Sequence, residues 1–310
     1  MLPKVTFVMI AWKSDYVLEP CLHAINPFGP VVVTHGPTKY WREKLEQLRH
    51  SSVTLEHYLG TVMDSDRTES ILRQHVPAER IVWLEEALEK DELQAACQHL
   101  IPDDTDYVWL VDSDEIWKEE TISKTLRLLQ ETGADSMAFK ARSFYGGFNN
   151  WITGFERDFP VQRIQRWYPG AKWHSHRPPT VLAPDGRPWK EHKHIDQTET
   201  EKLGLEYFHY SYVFPSQMYM KSLYYGESES KGLSLPGYFE KIYVPWMKGD
   251  ETARQAIEKE WHGVHNWYPR ARTASYTQPF HGGHPRVMYE AWPKLKSRLE
   301  TETRAFCWKE

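Results

Sequence analysis

The sequence has little of what defines several common protein classes. Its 310 residues include only three cysteines, Cys21, Cys97 and Cys307, whose spacing fits neither a metal site nor a redox pair. We therefore expect reduced thiols and a cytoplasmic location. No apolar run approaches the roughly 18 residues that a membrane helix needs. The N-terminal residues predict a first β-strand and not a signal peptide.

Several enzyme motifs are also absent. Neither Gly-x-Gly-x-x-Gly nor a phosphate-loop motif occurs, which argues against a dinucleotide enzyme or a phosphate-loop NTPase. There is no Gly-x-Ser-x-Gly nucleophile elbow. Four close histidine pairs suggest zinc, but none has cysteines at finger spacing or forms His-Glu-x-x-His, so ordinary histidines are the expectation. The pairs are His174/His176, His192/His194, His262/His265 and His281/His284.

Net charge and aromatic content indicate which kinds of ligand the protein could bind. The chain has 43 acidic and 38 basic residues, a net charge of −5, which does not favour a nucleic-acid partner but leaves room for a local basic groove. Aromatic residues make up 14% of the chain, with 14 Trp and 17 Tyr. Such rings stack on sugars and bases, although most are expected to fill a core.

Hydrophobic patterns over the first 140 residues alternate between β and α signals. We predict strands over 5–10, 31–33, 52–59, 80–83, 107–111 and 137–141, and helices over 39–50, 66–75, 87–100 and up to Gly133. This alternation predicts a mainly parallel α/β sheet. Loops with short strands then extend to residue 206, followed by a strand over 204–213. Helices over 216–231, 236–248 and 250–262 precede an irregular tail.

An acidic cluster, Asp112-Ser113-Asp114-Glu115, directly follows the strongest predicted strand. Ligands of parallel α/β sheets bind at the carboxyl ends of strands. Two aspartates at i and i+2 can both face that crevice, and their hard oxygen ligands suit Mg²⁺ or Mn²⁺. The alternative is a solvated turn, or an N-cap for a helix starting near Lys118.

With this strand and cluster, the sequence resembles GT-A glycosyltransferases of the family 2 type. Residues 107–117 are similar to their strand followed by Asp-x-Asp-Glu, and residues 31–38 to their second strand and its loop. His209-Tyr-Ser-Tyr-Val213, followed by Lys221 and Tyr224, is similar to a downstream element of some members. The resemblance covers roughly residues 5–225.

The resemblance implies a Rossmann-like, mixed but mainly parallel sheet flanked by helices, followed by a mostly helical C-terminal extension. The catalytic domain would span 1–215, with a nucleotide-sugar-binding half over 1–117 and an acceptor-side half over 118–215. The extension would span 216–310 and pack on the catalytic domain.

The resemblance also implies a function: metal-dependent transfer of a sugar from a nucleoside-diphosphate sugar, with a UDP-sugar favoured, to an acceptor hydroxyl. The metal would be Mn²⁺ or Mg²⁺, which neutralises the departing diphosphate. Asp114 would bind it directly, Asp112 would contact metal and ribose, and His209 would be a third ligand. The remaining sugar-donor contacts would come from Ala11, Trp12, Asp66, Lys90 and Ser113.

Two departures from the family pattern leave questions open. Many members have Asn-Glu after the first strand, where this chain has Ala11-Trp12-Lys13-Ser14-Asp15. The acceptor half has no clear Glu-Asp pair, so Glu156 and Asp158 are the nearest candidate bases, with Asp196 behind them. Whether the enzyme inverts or retains configuration stays open.

Alternatives remain at the level of the sequence. A basic and aromatic stretch is either an acceptor groove for sugars or splayed nucleic-acid bases, or an ordinary strand pair. It comprises Arg163, Arg166, Trp167, Tyr168, Lys172 and Trp173. A nucleotidyltransferase would share the sheet and metal, but the loop after the first strand lacks its glycines. In a non-enzymatic carbohydrate-binding protein, the acidic cluster would only cap a helix.

Overall fold

The computed structural model describes residues 1–227, 235, 237–264 and 274–308. The chain forms two compact units, each made of several segments. The first unit comprises Met1–Lys44, Asp66–Lys140 and Pro160–Tyr207, and the second comprises Leu45–Ser65, Ala141–Phe159 and Phe208–Glu310.

The strands fall mainly in the first two thirds of the chain. They are β1 (Val5–Ile10), β2 (Val31–His35), β3 (Ile81–Trp83), β4 (Tyr107–Leu110), β5 (Glu115–Ile116), β6 (Ser136–Tyr145), β7 (Asn150–Ile152), β8 (Val161–Arg166), β9 (Trp173–His176), β10 (Pro179–Val181), β11 (His194–Ile195), β12 (Glu206–Tyr212) and β13 (Thr277–Pro279).

Helices occur throughout and prevail after residue 214. They are α1 (Leu18–Ile25), α2 (Lys39–His50), α3 (Thr54–Asp64), α4 (Thr68–His75), α5 (Lys90–Ala96), α6 (Glu119–Thr132), α7 (Phe155–Asp158), α8 (Gln197–Lys202), α9 (Pro215–Glu227), α10 (Val244–Lys248), α11 (Glu251–Glu260) and α12 (Arg286–Cys307). A π-helical turn over Phe239–Tyr243 leads into α10.

The first unit is built on a mixed, mainly parallel sheet in the order β3-β2-β1-β4-β8-β6. β1 pairs in parallel with β2 and β4, β2 pairs in parallel with β3, and β8 is antiparallel to β4 and β6. The fold class predicted from the sequence, a mainly parallel sheet flanked by helices with a helical C-terminal part, is confirmed.

The central strands are apolar along their length because both faces of a parallel sheet are covered. Val31, Val32 and Val33 of β2 and all four residues of β4 are buried. From β1 the chain first adds β2 and β3 on one side, and then crosses to β4 on the other side. The carboxyl ends of β1 and β4 therefore flank the point at which the strand order reverses, where α/β sheets bind ligands.

The second unit combines helices with the end of β6, β7 and β13. β7 pairs antiparallel with β13 and with β6 at Phe144. Ser216, at the start of α9, donates both its backbone N–H and its hydroxyl to Glu302 of α12, and both side chains are buried. This pair of bonds ties the first helix of the C-terminal region to the last.

The predicted strand over 52–59 is wrong, because these residues begin α3. Val53 and Thr54 favour a strand by their branched side chains. However, Leu59 and Met63 are four residues apart and fully buried, which is the spacing of a helix face. Asp66 therefore follows a helix, and the third strand is Ile81–Trp83.

The irregular tail is also wrong, because α12 extends over 22 residues. Pro293 lies inside this helix and obscures it in the sequence. Met288, Leu295 and Glu302 recur every seven residues and are all buried, so tertiary packing overrides the local signal. The other predicted helices have counterparts in the structure, apart from residues 228–231 and 236, which lie outside the described residues. Helix α6 ends at Gly133, whose φ of 63° is the left-handed conformation that glycine favours.

No helix among the described residues has both the length and the apolar character needed to cross a membrane. The three cysteines are buried and form no disulfide. The predicted boundary at residue 215, between a catalytic domain and its extension, is a functional division and stays a prediction.

Candidate functional site

The acidic cluster forms a tight turn at the carboxyl end of β4. The N–H of Val111 donates to the carbonyl of Val8, which continues the pairing of β4 with β1 for one more residue. The chain then turns, and the N–H of Glu115 donates to the carbonyl of Asp112 at 3.0 Å. The cluster is thus fixed to the sheet at the reversal point.

Capping of the following helix does not explain this turn. Helix α6 starts at Glu119, and its N-cap residue is Lys118. Asp112 and Asp114 precede that cap by six and four residues. The interpretation of the cluster as an N-cap is therefore wrong.

Arg163 of the neighbouring strand β8 holds two of the three carboxylates. Its guanidinium donates to Oδ2 of Asp112 at 2.8 Å and also to Oε1 of Glu115. Burial works to lower the pKa of Arg163, but the charges of Glu115 and Asp112 outweigh it and raise that pKa well above its ordinary value. The guanidinium is therefore a permanent cation inside the site.

Exposure separates the roles of the carboxylates. The side chain of Glu115 is completely buried, whereas that of Asp112 is 45% exposed. Asp114 is partly exposed and Ser113 is buried. Glu115 and Arg163 thus form an internal ion pair that fixes the turn, while the carboxylates of Asp112 and Asp114 can meet a ligand.

Buried aromatic rings support the turn from below. Trp117 stacks on Tyr207 with ring centroids 4.9 Å apart and meets Trp109 edge-on at 4.7 Å. The guanidinium carbon of Arg163 lies 5.6 Å from the centre of the Tyr207 ring. Burial, followed by the charge of Glu115, raises the pKa of Tyr207 well above its ordinary value, so its hydroxyl stays protonated.

Helix α1 meets the turn through Cys21. Its thiol lies 3.8 Å from the carbonyl oxygen of Asp112. Burial raises the pKa of Cys21 well above its ordinary value, and the charges of Glu115, Asp114 and Asp112 raise it further. The Cys21 thiol is therefore close enough to all three carboxylates for their charges to raise its pKa.

The loop after β1 is anchored beside Asp66. Ala11 is buried and donates its N–H to the carbonyl of Thr34 at 3.0 Å. Further along, the N–H of Asp15 donates to Oδ1 of Asp66 at 3.3 Å, and that of Ser14 to the hydroxyl of Thr68. Burial raises the pKa of Asp66. Trp12 is half-buried in this loop.

His176 belongs to the same region, although its spacing in the sequence suggests only a possible zinc ligand. Its backbone N–H donates to the carboxylate of Asp91, and its ring Nδ1 lies 3.3 Å from the side-chain amide oxygen of Gln94. Both partners belong to α5. Burial lowers the pKa of His176 to about 4; the charge of Asp112 opposes this shift, while that of Lys90 adds to it. A neutral imidazole therefore lies within electrostatic range of both predicted site residues.

Glu156, a predicted base, and His209, a predicted metal ligand, share a hydrogen-bonded network in the second unit. The hydroxyl of Ser143, fully buried on β6, donates to Oε1 of Glu156 at 3.0 Å and lies 3.1 Å from Nδ1 of His209. Because that hydroxyl has only one hydrogen, the bond to His209 must be donated by Nδ1–H. This tautomer leaves the lone pair of the imidazole on Nε2.

Backbone geometry fixes Glu156. The preceding Gly154 has a φ of 75°, and a Cβ there would lie 2.5 Å from the carbonyl oxygen of Ala274. The backbone N–H of Glu156 donates to the hydroxyl of Ser275 at 3.1 Å. Asp158, the other candidate base, is exposed at the end of α7. Asp196 is the N-cap of α8 and accepts from Thr198 and Glu199.

The basic and aromatic stretch is mostly structural. Arg163 holds the acidic turn, and Arg166 pairs with Asp135 at 2.6 Å. Trp167 lies in an apolar cluster with Val181 and Trp189, against which Tyr168 and Trp173 pack. These contacts match an ordinary strand pair, and they use the rings that an acceptor groove would need.

The histidine pairs do not combine into a zinc site among the described residues. His194 Nδ1 lies 2.8 Å from the hydroxyl of Ser136, and His192 lies 3.3 Å from Asp185. His284 contacts the hydroxyl of Tyr210 and the carbonyl of Phe148. His265 lies outside the described residues.

The structure thus brings together, within the first unit, the predicted residues Asp112, Ser113 and Asp114. The loop bearing Ala11 and Trp12 follows β1, the neighbour of β4. Sequence patterns suggested other roles for Arg163 and His176 and did not place them near the turn; for Arg163, the pairing of β8 with β4 was the missing information. The predicted roles of all these residues in binding and catalysis stay predictions.

Comparisons with known proteins give distant structural similarities. No protein-family profile matches the chain, and no curated protein matches it. Similar solved structures include TarS 1-349 from S. aureus, with 11% identity, 98% of this chain and 81% of that chain covered, and a TM-score of 0.35. TarS 1-349 in complex with UDP-GlcNAc gives 10% identity, the same coverage and a TM-score of 0.36.

A further similar structure is 4-diphosphocytidyl-2C-methyl-D-erythritol synthase from Anaerococcus prevotii. It gives 12% identity, covers 53% of this chain and 70% of that chain, and has a TM-score of 0.31. All three TM-scores lie below 0.5.

Proposed function

We propose that the protein is a metal-dependent glycosyltransferase that moves a sugar from a nucleoside-diphosphate sugar to an acceptor hydroxyl. One observation carries the proposal. The acidic turn of Asp112, Ser113, Asp114 and Glu115 lies at the carboxyl end of β4, beside β1, where the strand order reverses. A UDP-sugar is the first donor to test.

The oxygen ligands of the turn fit a hard divalent cation. The carboxylates of Asp112 and Asp114 are both partly exposed, and Mg²⁺ and Mn²⁺ prefer such ligands. A bound Mn²⁺ or Mg²⁺ would neutralise the charge that develops on the departing diphosphate. Asp114 would be the direct ligand, and Asp112 would contact the metal and the ribose.

Arg163 and Glu115 would hold the acidic turn in the conformation that binds the metal. Arg163 keeps Asp112 oriented through a charged hydrogen bond, while the fully buried Glu115 balances the guanidinium. The charged partners are in place before any ligand binds, so little reorganisation accompanies binding. Arg163 is a positioning residue in this account.

The nucleotide would lie along the loop after β1. Ala11, Trp12 and Asp66 would contact the base, and Ser113 would contribute on the donor side. Lys90, at the first position of α5, would reach the diphosphate. His176, whose pKa of about 4 keeps it neutral near pH 7, would add a hydrogen-bonding imidazole without repelling the metal.

On the acceptor side, Glu156 would remove the proton from the acceptor hydroxyl, with Asp158 as the second candidate. A base needs a fixed position, which Ser143 and Ser275 give to Glu156. His209 would be the third metal ligand through Nε2, with its Nδ1–H oriented by Ser143. Metal-bound histidines commonly donate their other N–H in this way.

A thermal-shift experiment tests the proposal. Wild type, Asp114→Ala and the control Asp103→Ala would be heated with a panel of nucleotide-sugars, with and without Mn²⁺. Asp103 is exposed and lies just before the opposite end of the same strand, β4. We expect one donor to raise the melting temperature only with Mn²⁺, in wild type and Asp103→Ala but not in Asp114→Ala.

Stabilisation by no donor, even with metal, would contradict the proposal. The reaction products separate the remaining alternatives. A glycosyltransferase releases a nucleoside diphosphate, whereas a nucleotidyltransferase working forward releases pyrophosphate. Acceptors for the product assay would include glycans and a nucleic acid.

A further inference from the structure

Two helices of the first unit bring together two imidazoles and a carboxylate away from the acidic turn. Glu19 and His23 are four residues apart on α1, and His75 is the last residue of α4. Residues four apart on a helix lie on the same face. Nitrogen or oxygen ligand atoms of the three side chains all lie within 4.8 Å of one another.

The contacts within this group are those of side chains converging on a point. Nε2 of His75 lies 3.6 Å from Oε1 of Glu19, which is within ion-pair distance but longer than an ordinary hydrogen bond. The rings of His23 and His75 meet edge to face, with centroids 4.7 Å apart and planes at 83°. Two imidazoles and a carboxylate thus converge on one small volume.

His75 supplies a second, independent observation. Its Nε2 is buried and has no hydrogen-bond partner among the described residues, and its side chain is only 13% exposed. Buried polar atoms almost always have a hydrogen-bond partner or a bound ion, so this nitrogen is expected to have a ligand as its partner. A cation bound between the three side chains would satisfy it.

Access and anchoring also suit a bound ion. His23 is exposed on the surface of α1, and Glu19 is 35% exposed, so an ion can enter from solvent. The backbone around His75 is held independently, because the side-chain amide of Asn26 donates to the carbonyl of His75 at 3.1 Å. This bond fixes the end of α4 against the end of α1.

We propose that Glu19, His23 and His75 bind a zinc-class divalent metal ion that links α1 to α4. Two nitrogen ligands and one oxygen ligand suit Zn²⁺ and its neighbours Co²⁺ and Ni²⁺, and not the hard Mg²⁺. Water would complete the tetrahedron. This site is distinct from the acidic turn and does not depend on the proposed transferase function.

The test is calorimetric titration of Zn²⁺ into metal-free protein purified without a polyhistidine tag. Wild type would be compared with His23→Gln, Glu19→Gln, His75→Gln and the control His99→Gln. His23 and His99 are both exposed, so neither of these two variants is expected to disturb folding. Circular dichroism would verify the fold of each variant, and His23→Gln decides the matter if His75→Gln does not fold.

We expect one Zn²⁺ per chain in wild type and His99→Gln. In His23→Gln and Glu19→Gln, the affinity should fall at least about tenfold, since the loss of even a hydrogen-bonding partner of a metal ligand has an effect of that size. Zn²⁺ should also raise the melting temperature of wild type but not of His23→Gln. The absence of zinc binding by wild type, or equal affinity in wild type and His23→Gln, would overturn the proposal.

Discussion

Each unit of the protein contains a cluster of hydrogen-bonded polar groups around at least one carboxylate, and the partners of the carboxylates differ. In the first unit, Arg163 lies between Asp112 and Glu115, so a permanent cation accompanies the acidic groups. In the second unit, Glu156 accepts from the neutral hydroxyl of Ser143, which also contacts His209. A carboxylate beside a guanidinium stays ionised, which suits ligation of a metal ion. The buried hydroxyl of Ser143 instead helps to fix the position of Glu156, which is what a catalytic base requires.

The largest expected effect on stability comes from removing Arg163, the cation of the cluster in the first unit. Arg163→Met leaves the fully buried Glu115 without its guanidinium, and we expect the free energy of unfolding to fall by about 3–5 kcal/mol. Urea denaturation would measure this fall. The control Arg166→Met, on the same strand but 36% exposed, should cost about 1 kcal/mol or less.

The double variant Arg163→Met/Glu115→Gln sharpens this prediction, because it removes the buried negative charge as well. It should recover much of the stability that Arg163→Met loses. If Arg163→Met and Arg166→Met lowered the free energy of unfolding equally, the cluster in the first unit would not depend on its cation. The two units would then not differ in how their carboxylates are held.

The second prediction concerns pH. Burial lowers the pKa of His176 to about 4, from an ordinary value near 6.5, so the unfolded chain binds a proton at a higher pH than the folded protein. The contribution of this residue to stability is therefore complete above pH 6.5 and is lost as the pH falls to about 4. The loss amounts to about 3 kcal/mol.

His176→Gln should flatten this part of the stability curve, measured by urea denaturation between pH 7 and pH 4. His174→Gln, two residues earlier on the same strand and exposed, should keep the wild-type slope. An unchanged slope in His176→Gln would mean that the imidazole near Asp112 is protonated as readily as one in the unfolded chain.

A smaller effect is expected in the second cluster. Ser143→Ala removes the hydroxyl between Glu156 and His209, and should cost about 1–3 kcal/mol of stability. Ser136→Ala is a matched control, since Ser136 is equally buried on β6 and its hydroxyl lies 2.8 Å from Nδ1 of His194. Both variants should lose stability to a similar extent.

Activity distinguishes the two serines. If Glu156 is the base, Ser143→Ala should lower kcat about tenfold with an unchanged KM for the sugar donor, and should shift the pH profile of kcat. Ser136→Ala should leave both unchanged. Equal kcat values and pH profiles in the two variants would remove Glu156 from the proposed mechanism.

The sequence predicts the donor-side cluster better than its surroundings for a physical reason. Asp112 to Glu115 follow an apolar strand directly, so their position at a sheet edge is a local property. The partnership with Arg163 depends on β8 pairing antiparallel with β4, across 51 residues of chain, and no local pattern reports that pairing. The same holds for Ser143, which meets His209 across 66 residues.

Local sequence propensity also gives the wrong secondary structure where tertiary packing determines it. Val53 and Thr54 predict a strand, yet Leu59 and Met63 bury one face of α3. Pro293 signals an irregular tail, yet buried residues along α12 hold a long helix. The imidazoles of His23 and His75 lie on different helices, so the sequence spacing between them gives no sign of their contact.

The most direct test of the central claim, that the acidic turn binds a metal and a diphosphate together, is calorimetric titration of UDP in the presence and absence of Mn²⁺. Asp114→Asn keeps the size of the side chain and removes its charge. We expect wild type to bind UDP at least about tenfold more tightly with Mn²⁺, a difference of about 1.4 kcal/mol, and Asp114→Asn to lose that difference. Equal affinity with and without Mn²⁺ in wild type, or an undiminished Mn²⁺ effect in Asp114→Asn, would contradict the claim.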